Sequence, residues 1–287
     1  SILYIVVGNA VDSCFYDNYI QNAYNSNLFF RYSVLGHKDS LLYQSESILK
    51  FYDSKGYQKR PWRRAAATRF AEIRQGRILV GKTKQKLKLE ELGNIFVFWA
   101  HEPIVTFDKP LSLRSVDAYE YKLLGIREFA GTEVYEISFN SKTLKEQFTG
   151  LPALTFFKGK LYINKADYAV LRYELKYEMD YSFKNKATKK RWGGNIRRVI
   201  NADITEVFSK HKDHYVLNYV KSDKSLKFQE IKEDGSTKDS FTQSIEEYQF
   251  FDFATKNISV LNDNLFKLDN KTKYDPTFWS QFNLISQ

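Results

Sequence analysis

The sequence predicts a mainly β fold of the α+β class, in which a large curved antiparallel sheet, or half-barrel, wraps around an N-terminal helix and a short C-terminal helix follows. Two observations support this prediction. Several segments alternate apolar and polar residues, which is typical of strands with one buried face. Aromatic residues make up 16% of the 287 residues, with 20 Tyr and 23 Phe, and such rings are favoured on the pleated surface of a sheet.

The clearest strand pair is predicted at residues 158–179. The turn-forming run Asn-Lys-Ala-Asp at 164–167 separates two segments that are rich in β-branched and aromatic residues, as in a β-hairpin. After the turn, Leu171, Tyr173 and Leu175 alternate with charged residues. We therefore expect this strand to bury one face and to expose the other to solvent.

Helices are predicted at both ends of the chain. Apolar residues at three- and four-residue spacing within 3–20 indicate an amphipathic helix. Near the other end, Asp275 as N-cap followed by Pro276 in the first turn indicates a short helix. A sheet that wraps around the first helix would bury its apolar stripe, and stacked sheets are the alternative arrangement.

The remaining elements are predicted as eight to eleven strands in a single domain over residues 1–287, since no linker, low-complexity segment or repeat interrupts the chain. Residues 84–101 fit either a helix followed by a strand or one long helix. A bend is expected within 125–131. The other predicted strands are 28–35, 41–52, 68–79, 119–123, 135–139, 196–208, 215–221, 226–231 and 241–253.

The formal net charge of +10 is unevenly distributed. Residues 55–89 contain twelve Lys or Arg and one acid, Glu72, so this segment carries +11 and the rest of the chain carries −1. A second basic cluster, at 184–198, contains no acid. Such segments favour contact with anions, such as lipid headgroups or acidic glycans; the alternative is that they are solvated loops and sheet edges.

The sequence offers no catalytic, metal or cofactor motif. Cys14 is the only cysteine, which excludes an intramolecular disulfide. His211 and His214 form the one close histidine pair and lack a third ligand at suitable spacing, so we expect a solvated turn there. No apolar run has membrane-spanning length, and residues 1–7 lack the basic leader and cleavage site of a signal peptide.

The order of landmarks along the chain carries a resemblance. After the predicted helix come Leu28–Tyr32, Tyr43–Tyr52, the basic stretch ending in Arg74–Arg77, Tyr135–Phe139, Gly159–Ile163 and finally Tyr274–Trp279. This succession resembles the C-terminal region of carboxypeptidase regulatory-like domain-containing proteins of gram-negative envelopes, and the half-barrel of outer-membrane lipoprotein carriers. The resemblance implies an extracytoplasmic protein, in the periplasm or at the outer membrane, whose sheet encloses a hydrophobic cavity. It supplies no catalytic residue, and it implies an upstream regulatory-like β domain that this chain does not include.

The first functional hypothesis is therefore a non-enzymatic, monomeric envelope module that binds a lipid or another lipophilic or amphiphilic ligand in the half-barrel. Burial of apolar surface would drive binding. The open alternative is that the same side chains only pack on the N-terminal helix. The residues expected to face the ligand are Phe29, Tyr43, Ile48, Tyr135, Ile137, Tyr162, Leu171, Tyr173 and Leu175.

The second hypothesis is a structural or partner-binding module that docks on an anionic membrane or glycan surface. Arginine next to tryptophan suits stacking and bidentate contact with phosphate or carboxylate. Nucleic acid is disfavoured, because the charge lies in two blocks and no nucleic-acid motif is present. The residues expected to contact the anionic surface are Arg60, Trp62, Arg63, Arg64, Arg69, Arg74, Arg77, Lys190 and Arg191.

Overall fold

Ten antiparallel strands form one sheet in the computed structural model. The structure describes residues 7, 17–58, 68–81, 110–111, 116–181, 196–231, 236–261 and 274–282. The strands are β1 (Tyr24–Leu35), β2 (Leu41–Asp53), β3 (Arg69–Val80), β4 (Tyr119–Phe129), β5 (Thr132–Ser141), β6 (Leu154–Asn164), β7 (Val170–Tyr181), β8 (Ile196–His211), β9 (His214–Ile231) and β10 (Thr237–Ala254). The described helices are α1 (Glu146–Thr149) and α2 (Pro276–Gln281), with 3₁₀ turns at His37–Asp39 and Val116–Ala118.

The strand order is β3-β2-β1-β10-β9-β8-β7-β6-β5-β4. Neighbours in the sheet are neighbours along the chain except at the pairing of β1 with β10, which brings the first and last described strands together. Among the described strands, β3 and β4 end this order and do not pair with each other. The curved, open antiparallel sheet and the short C-terminal helix that the sequence predicts are confirmed.

The two faces of the sheet differ in what they bury. The core face carries one large hydrophobic cluster that reaches from Leu28 and Phe30 on β1 to Tyr173 and Leu175 on β7 and Ile137 on β5. The outer face is largely charged, and under helix α2 it carries a small cluster of its own. Side chains alternate between these faces because successive residues of a strand point in opposite directions.

The predicted hairpin of residues 158–179 is confirmed as β6 and β7. Leu161 lies opposite Tyr173, and the chain reverses direction between the two strands at residues 165–169. The turn is held by its own side chains, since Asn164 Oδ1 accepts a hydrogen bond from the Ala166 N–H at 3.0 Å and Asp167 Oδ1 accepts one from the Ala169 N–H at 3.1 Å. These are the turn formers from which the hairpin was predicted.

Two strands are longer than the sequence indicates. Strand β4 extends to Phe129, beyond the predicted 119–123, and stays paired with β5 across an irregularity between Leu123 and Gly125. The chain then turns at Ala130 and Gly131, within the range where the bend was expected. Strand β9 runs without a break through residues 214–231, where two separate strands were expected. Pairing with β8 on one side and β10 on the other stabilises its polar middle section in an extended form.

Several sequence predictions lie outside the described residues. They include most of the helix at 3–20, the segment 84–101, residues 59–67 and 82–89 of the first basic segment, and residues 184–195 of the second. Of the predicted helix, Val7 is helical and buried in the core-face cluster, whereas Tyr19 forms a β-bridge with Tyr215 and so does not continue the helix. The single domain over residues 1–287 stays a prediction.

Candidate functional site

The core face brings most of the predicted ligand-binding residues together. Five of them are buried in its cluster and lie on three separate strands. A sixth, Tyr135, is half-buried and packs against the same cluster. The five buried residues are Tyr43, Ile137, Leu171, Tyr173 and Leu175.

Phe29 and Ile48 were expected on this face and lie on the other one. Both pack against Trp279 of helix α2, and the Phe29 ring is 5.7 Å from the ring of Phe282. The core-facing side chain of β1 is Phe30, whose ring stacks on Tyr248 at 4.8 Å. The expectation was wrong because residues 28–30 are all apolar, so alternation in the sequence does not indicate which of them faces the core.

Tyr162 also lies towards the outer face, where Glu136 and Arg172 are its cross-strand partners. Its hydroxyl is 3.4 Å from a carboxylate oxygen of Glu174, and the Arg172 guanidinium lies 5.4 Å from its ring centroid. Burial, and next the charge of Glu174, raise the pKa of Tyr162. This tyrosine therefore takes part in a charged network on the outer face, while its partly buried side chain also packs against the core-face cluster.

The middle of the core face contains a polar group that the sequence analysis missed. Glu246 on β10 is 1% exposed and lies opposite Ser222 of β9 and Tyr32 of β1. The Tyr248 hydroxyl donates a hydrogen bond to Glu246 Oε2 at 2.9 Å, and Lys224 Nζ lies 3.8 Å from the same oxygen. Burial, followed by the Glu246 charge, raises the pKa of Tyr248 well above its usual value.

Some buried polar atoms of the core face lack hydrogen-bond partners. Glu246 Oε1 and Ser222 Oγ find none among the described residues, and the same holds for Ser47 Oγ on β2 and the hydroxyl of Tyr173 on β7. Burial raises the pKa of Tyr173 well above its usual value, so it stays protonated and can donate. A buried polar atom without a partner costs about 1–3 kcal/mol. The core face thus combines a wide apolar surface with a few unsatisfied polar atoms.

The comparisons with known proteins find only distant similarity. No family model and no curated protein matches the sequence. Solved structures do match, at low identity. A LolA superfamily protein from Nitrosomonas europaea has 9% identity and a TM-score of 0.32, with 90% of this chain and 94% of that chain covered.

Two further solved structures show the same level of similarity. A DUF1329 family protein from Desulfovibrio piger has 10% identity and a TM-score of 0.32 over 90% of this chain and 95% of that one. A putative outer membrane lipoprotein-sorting protein domain from Vibrio parahaemolyticus has 9% identity and a TM-score of 0.32 over 88% and 93%. At these TM-scores the likeness carries no argument about function. The relationship to carboxypeptidase regulatory-like domain-containing proteins stays a prediction.

Three of the predicted anion-contacting residues are described, and all are ion-paired. Arg69 is buried and its Nε donates to Asp53 Oδ2 at 2.7 Å. Arg77 Nε donates to Glu46 Oε2 at 2.7 Å, and Arg74 pairs with Glu72 at 2.8 Å. Their charges are therefore compensated within the sheet. The other six, Arg60, Trp62, Arg63, Arg64, Lys190 and Arg191, lie outside the described residues.

The outer face holds two cavities that the sequence analysis did not foresee. One, of about 480 Å³, lies on β8–β10 and is lined by residues that include Val199, Phe241, Arg197 and Lys227. The other, of about 400 Å³, crosses β4–β7 and is lined by four lysines, two glutamates, Ser138, Asn140, Phe139 and Gly159. Both depend on strand register, which brings together side chains that are distant in sequence.

The described ranges show no group of three or more His, Cys, Asp or Glu side chains that could hold a metal ion. His211 and His214 flank the two-residue turn between β8 and β9. The turn is only partly solvated, as expected for the exposed His214, whereas Nε2 of His211 is buried. No helix in the described part of the chain is long and apolar enough to cross a membrane.

Proposed function

We propose that this protein is a non-enzymatic module of the cell envelope that binds a lipophilic or amphiphilic ligand against the core face of its sheet. The polar group around Glu246 is the observation that carries the proposal. A face that served only as packing would gain nothing from a carboxylate at 1% exposure, since burying a charge is costly unless it is fully paired. An amphiphile would cover the apolar surface with its chain and satisfy the polar atoms with its head.

The chemistry of these atoms favours a donor head. Glu246 Oε1 can only accept a hydrogen bond while the carboxylate is ionised, and Ser222 Oγ beside it can accept or donate. A hydroxyl or ammonium group matches this pair. A carboxylate head would instead meet the like charge of Glu246. Lys224, at 3.8 Å from the other Glu246 oxygen, compensates part of that charge and leaves Oε1 available.

Ligand entry requires exchange of contacts within the protein. The core-face side chains are buried, and Val7 and Leu111, which belong to none of the ten strands, are part of the same cluster. A ligand would therefore replace contacts between the sheet and other parts of the chain. Binding should consequently be slow compared with diffusion and faster at a higher temperature.

Competition between amphiphiles tests the proposal. The protein is titrated with the neutral fluorescent probe N-phenyl-1-naphthylamine, which is then displaced by dodecanol, dodecylamine or dodecanoate. We expect saturable probe binding, and displacement by the alcohol and the amine at concentrations about tenfold below that of the acid, as one hydrogen bond to a charged group predicts.

Two conservative variants test whether the ligand binds on the core face. Glu246→Gln keeps the shape and removes the charge, so it should abolish most of the preference among the three heads while the probe still binds. Ser33→Ala, a buried outer-face serine on β1 that hydrogen-bonds Gln44, serves as the control and should leave the preference unchanged. Absence of saturable probe binding by the intact protein would overturn the proposal.

Location and partners are part of the same proposal. We expect an extracytoplasmic monomer whose partner is a lipid or another apolar molecule, without a cofactor. Docking on an anionic surface through the predicted basic segments stays a prediction, and the described Arg69 and Arg77 contribute little to it because each is already ion-paired.

A further inference from the structure

The 400 Å³ groove on the outer face of β4–β7 is built from two adjacent rows of cross-strand neighbours. In one row Lys122, Ser138, Lys160 and Glu174 follow each other across the four strands. In the other row the order is Glu120, Asn140, Lys158 and Lys176. Adjacent strands are about 4.8 Å apart, so four ammonium groups surround a patch about 15 Å wide whose middle holds a hydroxyl and an amide.

The second row contains a pairing that folding alone does not favour. Lys158 and Lys176 lie directly opposite each other on β6 and β7, and like charges in this position destabilise a sheet. Two residues further along β6, on the same face, Lys160 lies opposite Glu174, and this pair of opposite charges is favourable. The sheet therefore keeps two lysines directly opposite each other at this place. An acidic residue at either position would have removed the repulsion.

The four lysines of the groove differ in their ion pairs. Lys160 Nζ donates to Glu136 Oε1 at 2.9 Å and Lys176 Nζ pairs with Asp203 at 2.5 Å. These hydrogen bonds are the main reason why the pKa of each lysine is raised. Lys122 and Lys158 form no ion pair within the described ranges. Lys158 Nζ lies instead 5.4 Å from the ring centroid of Phe156, so these two exposed cations have no carboxylate partner in the part of the chain that the structure describes.

Gly159 permits the close approach of strands below the groove. A Cβ at this position would lie 1.9 Å from the Glu174 carbonyl oxygen and 2.6 Å from Cζ of Phe139, which no other residue can accommodate without displacement of the backbone. Glycine in a strand often marks such an approach. The Lys158-Gly159-Lys160 sequence thus combines a tight backbone contact with two cations that point to the outer face.

We propose that this groove binds a phosphate ester, with Lys122 and Lys158 as the charges that contact it and Asn140 as a hydrogen-bonding group at its centre. The neighbouring Ser138 hydroxyl donates a 3.4 Å hydrogen bond to the Lys122 carbonyl oxygen. The volume is within the range of small-ligand sites, and lysine contacts phosphate as a point charge. The phosphate belongs either to a soluble ester or to the headgroup of a lipid. The site is separate from the core face and does not depend on what that face binds.

Calorimetric titration with sn-glycerol 3-phosphate tests the groove directly. Glycerol serves as the neutral control, and sodium chloride at matched ionic strength corrects for general screening. Cosedimentation with vesicles of equal parts phosphatidylglycerol and phosphatidylcholine tests the lipid source. The variant Lys122→Gln/Lys158→Gln should bind the phosphate at least about tenfold more weakly, since it loses two charge-assisted contacts.

A matched variant separates a site from a general charge effect. Lys212→Gln/Lys256→Gln removes two exposed lysines elsewhere on the described surface and should retain affinity within about twofold. Binding to glycerol 3-phosphate supports a soluble ester, and groove-dependent binding to vesicles alone supports a headgroup. Absence of both, or equal losses in the two double variants, would overturn the proposal and leave the proposed core-face ligand untouched.

Discussion

The Arg77 guanidinium lies over the Trp279 ring, with its central carbon 4.3 Å from the ring centroid. This contact joins β3 to helix α2 on the outer face. Arg77 also donates to Glu46, which in turn accepts a hydrogen bond from Arg31 Nη2 at 2.7 Å. Trp279 fills the space between this ion cluster and the apolar pair of Phe29 and Ile48, so the helix seals an apolar patch that would otherwise meet water.

Truncation of Trp279 should accordingly destabilise the fold. Trp279→Ala removes a side chain that is 4% exposed and uncovers the apolar pair beneath it, and we expect a loss of about 3 kcal/mol in the free energy of unfolding. Guanidinium chloride denaturation measures the loss. Ser280→Ala on the exposed side of the same helix should change it by less than about 0.5 kcal/mol, and equal effects of the two variants would contradict a role for Trp279.

Local signals in the sequence were sufficient for some elements of this fold. The turn formers at 164–167 located the β6–β7 hairpin, and Asp275 before Pro276 located helix α2. In the structure Asp275 Oδ1 accepts hydrogen bonds from the N–H groups of Thr277 at 2.9 Å and Phe278 at 3.2 Å. Such elements are predictable because the residues that form them are neighbours in the chain.

The candidate sites were less predictable because they depend on register. Nothing near Glu246 in the sequence indicates that it lies opposite Ser222 and Tyr32, and nothing near Lys158 indicates Lys176 as its neighbour. Where three apolar residues follow each other, as at 28–30, the alternation of apolar and polar residues does not indicate which side chain faces the core. Pairing between β1 and β10, which are more than a hundred residues apart, places Glu246 opposite Tyr32. The Lys158–Lys176 pair depends on the exact register within the β6–β7 hairpin, which the turn formers alone do not determine.

The buried ion pair of Arg69 and Asp53 gives a second stability prediction. Their side chains are 2% and 0% exposed, so Arg69→Met removes one partner of a buried ion pair and should cost about 3–5 kcal/mol. Thermal and denaturant unfolding measure the cost. Arg74→Met on the same strand, where the ion pair is largely exposed, should cost at most about 1 kcal/mol. The double variant Arg69→Met/Asp53→Leu should recover much of the loss.

Gly159 should tolerate no side chain. Gly159→Ala places Cβ at 1.9 Å from the Glu174 carbonyl oxygen, so β6 and β7 have to separate and the yield of folded protein should fall sharply. Gly131→Ala is the comparison, because its Cβ would meet nothing within 4 Å and only the φ of +73° is unfavourable, at about 1–2 kcal/mol. Circular dichroism and thermal melts of both variants decide; a Gly159→Ala protein as stable as Gly131→Ala would contradict the close approach.

The ion pairs of Glu136 should make the stability of the folded protein depend on pH in the acidic range. The hydrogen bond from Lys160 is the largest of the effects that lower the pKa of Glu136, and Arg127 adds to it against the opposing effect of burial. Because the folded-state pKa is below the unfolded value, this carboxylate stabilises the fold above the ordinary pKa of 4.5. That contribution is lost as the pH falls through the lowered pKa.

Glu136→Gln should therefore be less stable than the parent protein near neutral pH, and the difference should shrink as the pH falls from about 5 to about 3. Urea denaturation at several pH values measures it. Glu120→Gln, at an exposed position on β4, should reduce stability much less near neutral pH, and a Glu136→Gln difference that is constant with pH would contradict the ion pair as the cause.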